Sequence, residues 1–351
     1  MERVGILGLP QSGKTTLFEI LVQGAGAQAA ATSGREQVAV IVVPDPRVDR
    51  LSALYHPKRT THARIQLVDT VAAGHTSARA AARGPDLFSG VRDCDALLGV
   101  VRGFENPAVP STRGVDPARD LRDLESELIL NDLAIVESRL EKLAREIRVG
   151  RKEGEREHAL LGRLRSALEA ERPLRGEPFD AEDEKRMRGF QLLTLKSLLV
   201  VVNQGEGEAR PLPRAGAHTL VVGLRAHLER EVVGLPPDER DAFRRELGIE
   251  EDGLSLVIRA YYQLLGLISF FTVGPDEVRA WTLRQGERAV DAAGEIHTDL
   301  GRSFIRAEVV PWARLLEAGG QAPARERGWL RLEGRDYAVQ DGDCLEIRFN
   351  R

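Results

Sequence analysis

Apolar positions along the first hundred residues come in short blocks separated by polar, glycine-rich stretches. Residues 4–7 form such a block, and residues 16–22 follow with helical spacing up to Gly24. Residues 38–43 form a second apolar strand, closed by Pro44-Asp45-Pro46. Residues 64–69 alternate and end on Asp69, residues 86–93 suggest a short helix, and residues 96–101 are again wholly apolar. Buried strands alternating with helices and loops predict an α/β domain with a largely parallel sheet, whose ligand lies at the strands' C-terminal edge.

From Asp116 onward the period changes. Leu121, Leu124, Leu128, Ile129, Leu133, Val136, Leu140, Leu143 and Ile147 make one stripe on a long helix, broken at Gly150 and Gly154. Leu160, Leu161, Leu164 and Leu168 make the returning stripe, so the pattern is an antiparallel, coiled-coil-like hairpin inserted into the α/β domain. Residues 173–180 read as a linker, followed by helix through Leu195. Residues 198–203 and 219–222 then restore the α/β pattern, and helices through Leu265 complete it. The expected division is residues 1–116 with 195–265, an inserted 117–194, and a C-terminal 266–351. This last part carries short strands, Gly/Asp turns and one short helix near residues 286–293, an α+β unit.

Bulk chemistry narrows the picture a little. A net charge of −4 gives no general signal for nucleic acid, although local patches remain open. No apolar run is long enough to span a bilayer. The two cysteines, Cys94 and Cys344, have no metal-ligand or His-partner pattern and read as packed thiols in a reducing cytoplasm. No membrane partner is expected, and the chain is taken as a monomer.

The chemistry concentrates at Gly8-Leu9-Pro10-Gln11-Ser12-Gly13-Lys14-Thr15, which fits G-x-x-x-x-G-K-[ST], the phosphate-binding P-loop. Four fixed positions recur by chance in about 1% of chains this long at average residue usage. Here a buried strand precedes the motif and a helix follows it, so a bound nucleotide is the working reading. Gly8 and Gly13 let the backbone wrap closely, so that the N–H groups of residues 11–16, beyond Pro10, converge on a phosphate. Lys14 supplies a point charge to the β/γ-oxygens, and the Thr15 hydroxyl suits Mg²⁺; Thr16 continues the helix whose positive end faces the same anion. Asp69, at a strand end, stands where a Walker-B aspartate holds Mg²⁺, usually through water. Asn203 with Glu206 stands where the base is read. An Asp at the second position would accept from guanine N1–H and N2, and the longer Glu does not reproduce that fork. Ala226 and His227 fall where a second base-contacting loop belongs, His227 as a structural or exposed residue. Residues 25–37 read as a loop at the place of a first switch. At the hairpin turn Arg145, Arg148, Arg151, Lys152 and Arg156 cluster, and two readings stay open: solvated surface, or binding to a phosphate backbone.

Taken together these residues resemble the YchF family, the Obg-like ATPases. Residues 8–18 resemble G-L-P-N-V-G-K-S-T-L-F, residues 44–47 match P-D-P-R, and residues 101–106 resemble V-R-C-F-E-N. Asn203 and Glu206 match the family's N-x-x-E. Residues 271–274, 277–282, 296–299 and 304–308 resemble its TGS-domain signatures. The resemblance implies a P-loop NTPase fold of the G-domain type, an α-helical hairpin and a β-grasp-like TGS domain. It also implies ATP in preference to GTP, Mg²⁺, hydrolysis, and association with the ribosome or a ribosomal subunit through RNA. The departures lie mostly where the γ-phosphate is sensed. The glycine of D-I-A-G is Ala72, and the next residue is Ala73. The first switch is short, with Thr32 or Ser33 in place of the Mg²⁺-binding threonine, and residues 107–114 lack the family's histidine. A slow ATPase, a nucleotide-gated adaptor without appreciable hydrolysis, and a GTP-binding protein are therefore all carried forward.

Overall fold

The computed structural model describes all residues except 27–28, 34–35, 71–87, 109, 112, 149–153, 208, 250 and 351. Its strands and helices form two compact units, residues 1–41 with 65–260 and residues 42–64 with 261–351.

The first unit is built on a sheet of order β2-β3-β5-β1-β6-β7-β8. Here β1 is Arg3–Gly8, β2 Ala29–Ser33, β3 Glu36–Val42, β5 Arg64–Thr70, β6 Ala96–Gly103, β7 Leu198–Gln204 and β8 Thr219–Leu224. The central pairs β5-β1, β1-β6, β6-β7 and β7-β8 are parallel, as the continuous apolar runs require of strands covered on both faces. Every residue of β6 and β7 is buried. Strand β1 lies between β5 and β6, so the chain leaves it toward both sides of the sheet and makes a crevice at its C-terminal end. Helix α1, Lys14–Gly24, starts in that crevice and buries Leu17, Phe18, Ile20 and Leu21.

Residues 29–33 depart from the loop expected there. They form edge strand β2, paired antiparallel with β3 in a hairpin. Small residues carry no apolar signal, and only the pairing with β3 makes them a strand. The helix expected at residues 86–93 is a single 3₁₀ turn at Ser89–Val91 among the described residues.

The long helix α3, Pro117–Arg148, has two jobs. Its first turns put Leu121, Leu124 and Leu128 into the sheet core with Leu7, Val68, Leu97, Leu198 and Val200. Beyond them Ile129, Val136, Leu140 and Leu143 pack with Leu160, Leu161, Leu164 and Leu168 of α4, Glu155–Glu169. Arg139 clamps this antiparallel pair, its Nε and Nη2 donating to the two Glu157 oxygens at 2.7 and 3.0 Å. The helix expected up to Leu195 is shorter. It is α5, Ala181–Met187, followed by 3₁₀ turns at Arg188–Phe190 and Leu193–Leu195.

Asp132 joins α3 to that last turn. Fully buried, it accepts from Leu193 N (3.0 Å), Thr194 N (2.7 Å) and Thr194 Oγ1 (2.6 Å). Burial raises its carboxyl pKa, and the three donors oppose that shift.

In the second unit the sheet order is β12-β11-β13-β9-β10-β4. Its strands are β4 (Arg59–Thr61), β9 (Leu267–Thr272), β10 (Glu277–Arg284), β11 (Phe304–Pro311), β12 (Arg331–Glu333) and β13 (Asp343–Phe349). Residues 42–64, read from sequence as part of the nucleotide domain, belong here, because β4 pairs parallel with β10. They also carry helix α2, Pro46–Tyr55, capped by the Asp45 side chain on Arg47 N with Pro46 at its start. Arg47 donates to Asp45 and Asp341 and lies over the Phe271 ring at 5.1 Å, which explains the P-D-P-R stretch as structural. Where one short helix was expected, the described residues hold four: Ala289–Ile296, Thr298–Arg302, Trp312–Ala318 and Gln321–Glu326. The core of the unit gathers Phe270, Leu283, Ala292, Ala307, Val309 and Leu345.

Replacing Asp132 by Ala removes three hydrogen bonds and leaves two buried amides unpaired. We expect a loss of about 3 kcal/mol in denaturant unfolding, with Asp132→Asn losing less.

Candidate nucleotide site

The loop between β1 and α1 has the shape its glycines predict. A Cβ on Gly8 would sit 2.4 Å from the Val100 carbonyl oxygen and 2.9 Å from Ser12 Oγ. Gly13 has φ 94°, and a Cβ there would lie 2.3 Å from Asn203 Nδ2. Neither position admits a side chain. Pro10 and Gln11 are exposed at the loop's crest, with Gln11 in the left-handed region at φ 64°. At the N-terminus of α1 no side chain caps the helix and no acidic residue occupies its first turn, so its positive end is left to a ligand.

Lys14 folds over this loop. Its Nζ donates to Gly8 O at 2.7 Å and Leu9 O at 3.0 Å, both carbonyls of the P-loop itself. Burial pushes the Lys14 pKa down, and the Asp69 carboxylate pulls it back in part; burial pushes Asp69 up, and Lys14 draws it down. Asp69 is 3% exposed, on β5 opposite Ile6 of β1. Among the described residues its Oδ1 is buried with no hydrogen-bond partner, and so is Ser12 Oγ. Two buried oxygens without donors, one of them a carboxylate oxygen beside an ammonium, mark a site whose polar groups are completed by something else. Thr15 is exposed on the first turn of α1, and Thr16 is partly buried behind it. Among the described residues no cluster of three or more His, Cys, Asp or Glu could hold a metal. Among the described residues Asp69 and Thr15 bring oxygen atoms to the loop, a kind of donor that suits a hard cation sharing its shell with phosphate and water. The Ser33 side chain, Ala72 and Ala73 lie outside the described residues.

Asn203 links Ala226 to the P-loop. Asn203, 6% exposed at the end of β7, donates through Nδ2 to Ser12 O at 3.2 Å and accepts through Oδ1 from Ala226 N at 3.3 Å. Its amide is therefore committed to holding the P-loop against the N-terminus of α6, Ala226–Gly234. Ala226 is buried and its N–H is spent on Asn203, whose amide keeps a second N–H and a second lone pair beyond these two bonds. Glu206 is 65% exposed, with Oε1 3.1 Å from His227 Nδ1. The stretch after it is pinned by Gln204, which exchanges two 2.9 Å hydrogen bonds with the Arg210 backbone.

Two further residues at the site go beyond what the motif singles out. The P-loop pattern gives Ser12 a role through its backbone alone, although its buried hydroxyl is the unusual feature. Phe104 stands out in the sequence only within V-R-G-F-E-N. Its ring edge comes within 4.0 Å of the Cβ position of Gly13, and Arg102 lies over its face at 4.8 Å. A Phe following a buried strand beside the loop is the signal that could have found it.

At the hairpin turn, Arg156 is taken up by three carboxylates, Asp180 (3.0 Å), Glu182 (2.6 Å) and Asp183 (3.7 Å). It ties α4 to α5 and is a structural residue. Arg145 is 72% exposed and pairs with Glu141. The Arg148 side chain, Arg151 and Lys152 lie outside the described residues.

Replacing Asn203 by Ala would unlink the two loops and leave the buried Ala226 amide unpaired. The expected cost is about 2 kcal/mol in equilibrium unfolding, more than a surface substitution on β8 would give.

Residues 267–350 match the family described as "YchF-GTPase_C: Protein of unknown function (DUF933)". Over nearly full length the chain is 38% identical to a Bacillus subtilis protein named "Ribosome-binding ATPase YchF", covering 99% of this chain and 98% of that one. It is 36% identical over 99% of both chains to a protein of the same name from Escherichia coli O157:H7. A solved structure, "Structure of the Schizosaccharomyces pombe YchF GTPase", superposes with TM-score 0.81 at 27% identity, covering 99% of this chain and 97% of the other.

Proposed function

The chain belongs to the YchF family, and from that premise we propose that it binds ATP at the β1–α1 loop with Mg²⁺, hydrolyses it slowly and associates with ribosomes. The observation that carries this reading is the state of Lys14. An ammonium resting on two carbonyls of its own loop, beside an unpartnered Asp69 oxygen, is a cation held ready for a phosphate. On binding, Lys14 exchanges these carbonyls for β/γ-oxygens, and the amides of Gln11, Ser12, Gly13, Lys14, Thr15 and Thr16 take up the remaining charge. Gly8 and Pro10 shape the turn. Thr15 and Asp69 would hold Mg²⁺, which supplies charge neutralisation on the phosphates. Lys14 and the helix end then stabilise charge on the transferring group. Glu206 reads the base, with Asn203 and Ala226 fixing the wall beside it. Ribosome association comes from the relatives' names. Its seat in our reading is the hairpin turn, through Arg145, Arg148, Arg151 and Lys152 on phosphate backbone.

In the division we propose, residues 1–41 and 65–116 with 195–260 serve the nucleotide, 117–194 form the arm, and the C-terminal unit docks as a TGS-like module. A second reading has a specific basis. Ala72 and Ala73 stand where the family senses the γ-phosphate and residues 107–114 contain no histidine, which favours an adaptor that binds without appreciable turnover. Among the described residues no helix is long and apolar enough to cross a membrane.

Lys14→Ala is expected to weaken ATP binding at least a hundredfold in equilibrium titration with Mg²⁺; unchanged affinity would place the nucleotide elsewhere. Substituting Arg148, Arg151 and Lys152 together by Ala should weaken ribosome binding and flatten its salt dependence, by up to about one unit of slope for each phosphate no longer neutralised. Equal affinity and equal slope would return the turn to plain solvated surface.

A further inference from the structure

The base-reading edge contains an ion pair that the motif does not foretell. Glu206 follows β7 by two residues, and His227 sits in the first turn of α6. The Asn203–Ala226 hydrogen bond holds the two segments together, and Gln204 pins the loop beyond Glu206. Both side chains are more than half open to solvent, 65% for Glu206 and 54% for His227. His227 Nδ1 lies 3.1 Å from Glu206 Oε1, while Glu231, on the same helix as His227, stands farther off at 3.6 Å.

We infer that His227 is a positioning residue that sets which purine the site accepts, an inference resting on the nucleotide-binding reading above. A carboxylate only accepts hydrogen bonds, so a proton on the ring nitrogen that faces Oε1 is favoured. The contact draws Oε1 toward the imidazole and leaves Oε2 as the oxygen that faces the ligand. Guanine presents N1–H and the N2 amino group side by side, two donors that need both oxygens of one carboxylate. Adenine presents a single amino group, N6, next to an acceptor. With Oε1 drawn to His227, Oε2 can accept from the adenine N6 amino group. Guanine then has one of its two adjacent donors without a carboxylate oxygen facing it, and a lost partner of this kind discriminates between otherwise similar ligands. His227 therefore adds to the effect of Glu206 being one methylene longer than Asp, and does so without touching the reacting phosphates.

The test measures equilibrium binding of ATP and of GTP to the full chain with Mg²⁺, in wild type, His227→Ala and His227→Asn. Asn keeps an N–H close to the place of Nδ1. The wild type should prefer ATP. His227→Ala should narrow the ATP-to-GTP affinity ratio by about five- to tenfold, chiefly through tighter GTP binding, and His227→Asn should retain most of the wild-type ratio. An unchanged ratio in His227→Ala, an equal change in both variants, or a wild type that prefers GTP would overturn the inference while leaving the nucleotide site in place. Lys14→Ala separates the two levels. Should it bind ATP as tightly as wild type, or should wild type bind neither nucleotide, the site itself is misassigned and the inference falls with it.

Discussion

The site depends on one side chain that makes no use of its freedom. Asn203 spans from the P-loop to the start of α6, with one end of its amide on Ser12 O and the other on Ala226 N. The bridge works because Gly13 has no Cβ; any larger residue would occupy the space of Asn203 Nδ2. Buried strand β7 delivers Asn203 to that point, and β7 is placed by its parallel pairing with β6. The P-loop and the end of β7, nearly two hundred residues apart in the chain, are thus registered by the sheet and locked by two hydrogen bonds. Each bond is modest in water, but both are buried, where an unpaired amide is costly.

The electrostatics follow from the same enclosure. Lys14 and Asp69 each lose hydration, each shifts toward its neutral form, and each is partly restored by the other. Such a pair gains little as a stabilising interaction. Its value lies in being unfinished: the lysine borrows carbonyls from its own loop, and one aspartate oxygen has no donor among the described residues. In the proposed reading a triphosphate and a divalent cation would bring the complementary charges, and stability withheld from the empty chain would become binding energy.

Much of this could be seen in the sequence. The P-loop, β1, β5, β6 and β7 were legible because buried parallel strands are short apolar runs and the phosphate cradle has fixed glycines. The same stripe rule found α3 and α4, but it could not show that Leu121, Leu124 and Leu128 serve the sheet while Val136 and Leu143 serve the hairpin. Period records which face is apolar, not what covers it. Strand β4 is three residues long and exists through its pairing with β10, more than two hundred positions later. Helix α2 carried a readable signal, Asp45 before Pro46, hidden by the habit of taking Pro-Asp-Pro as a turn. Arg156 looked like surface charge until the fold set three carboxylates beside it. The position of Asn203 can be read from the strand end, whereas its hydrogen bonds to Ser12 O and from Ala226 N appear only once the loops are in space.

The most direct test is a structure of the chain with a non-hydrolysable ATP analogue and Mg²⁺. Lys14 Nζ is expected to leave the Gly8 and Leu9 carbonyls for the β/γ-oxygens, with Asp69 and Thr15 facing the cation. The base is expected against Glu206, with Asn203 still bridging Ser12 and Ala226. A nucleotide bound elsewhere, or one at the loop with Lys14 still on its own carbonyls, would contradict the assignment.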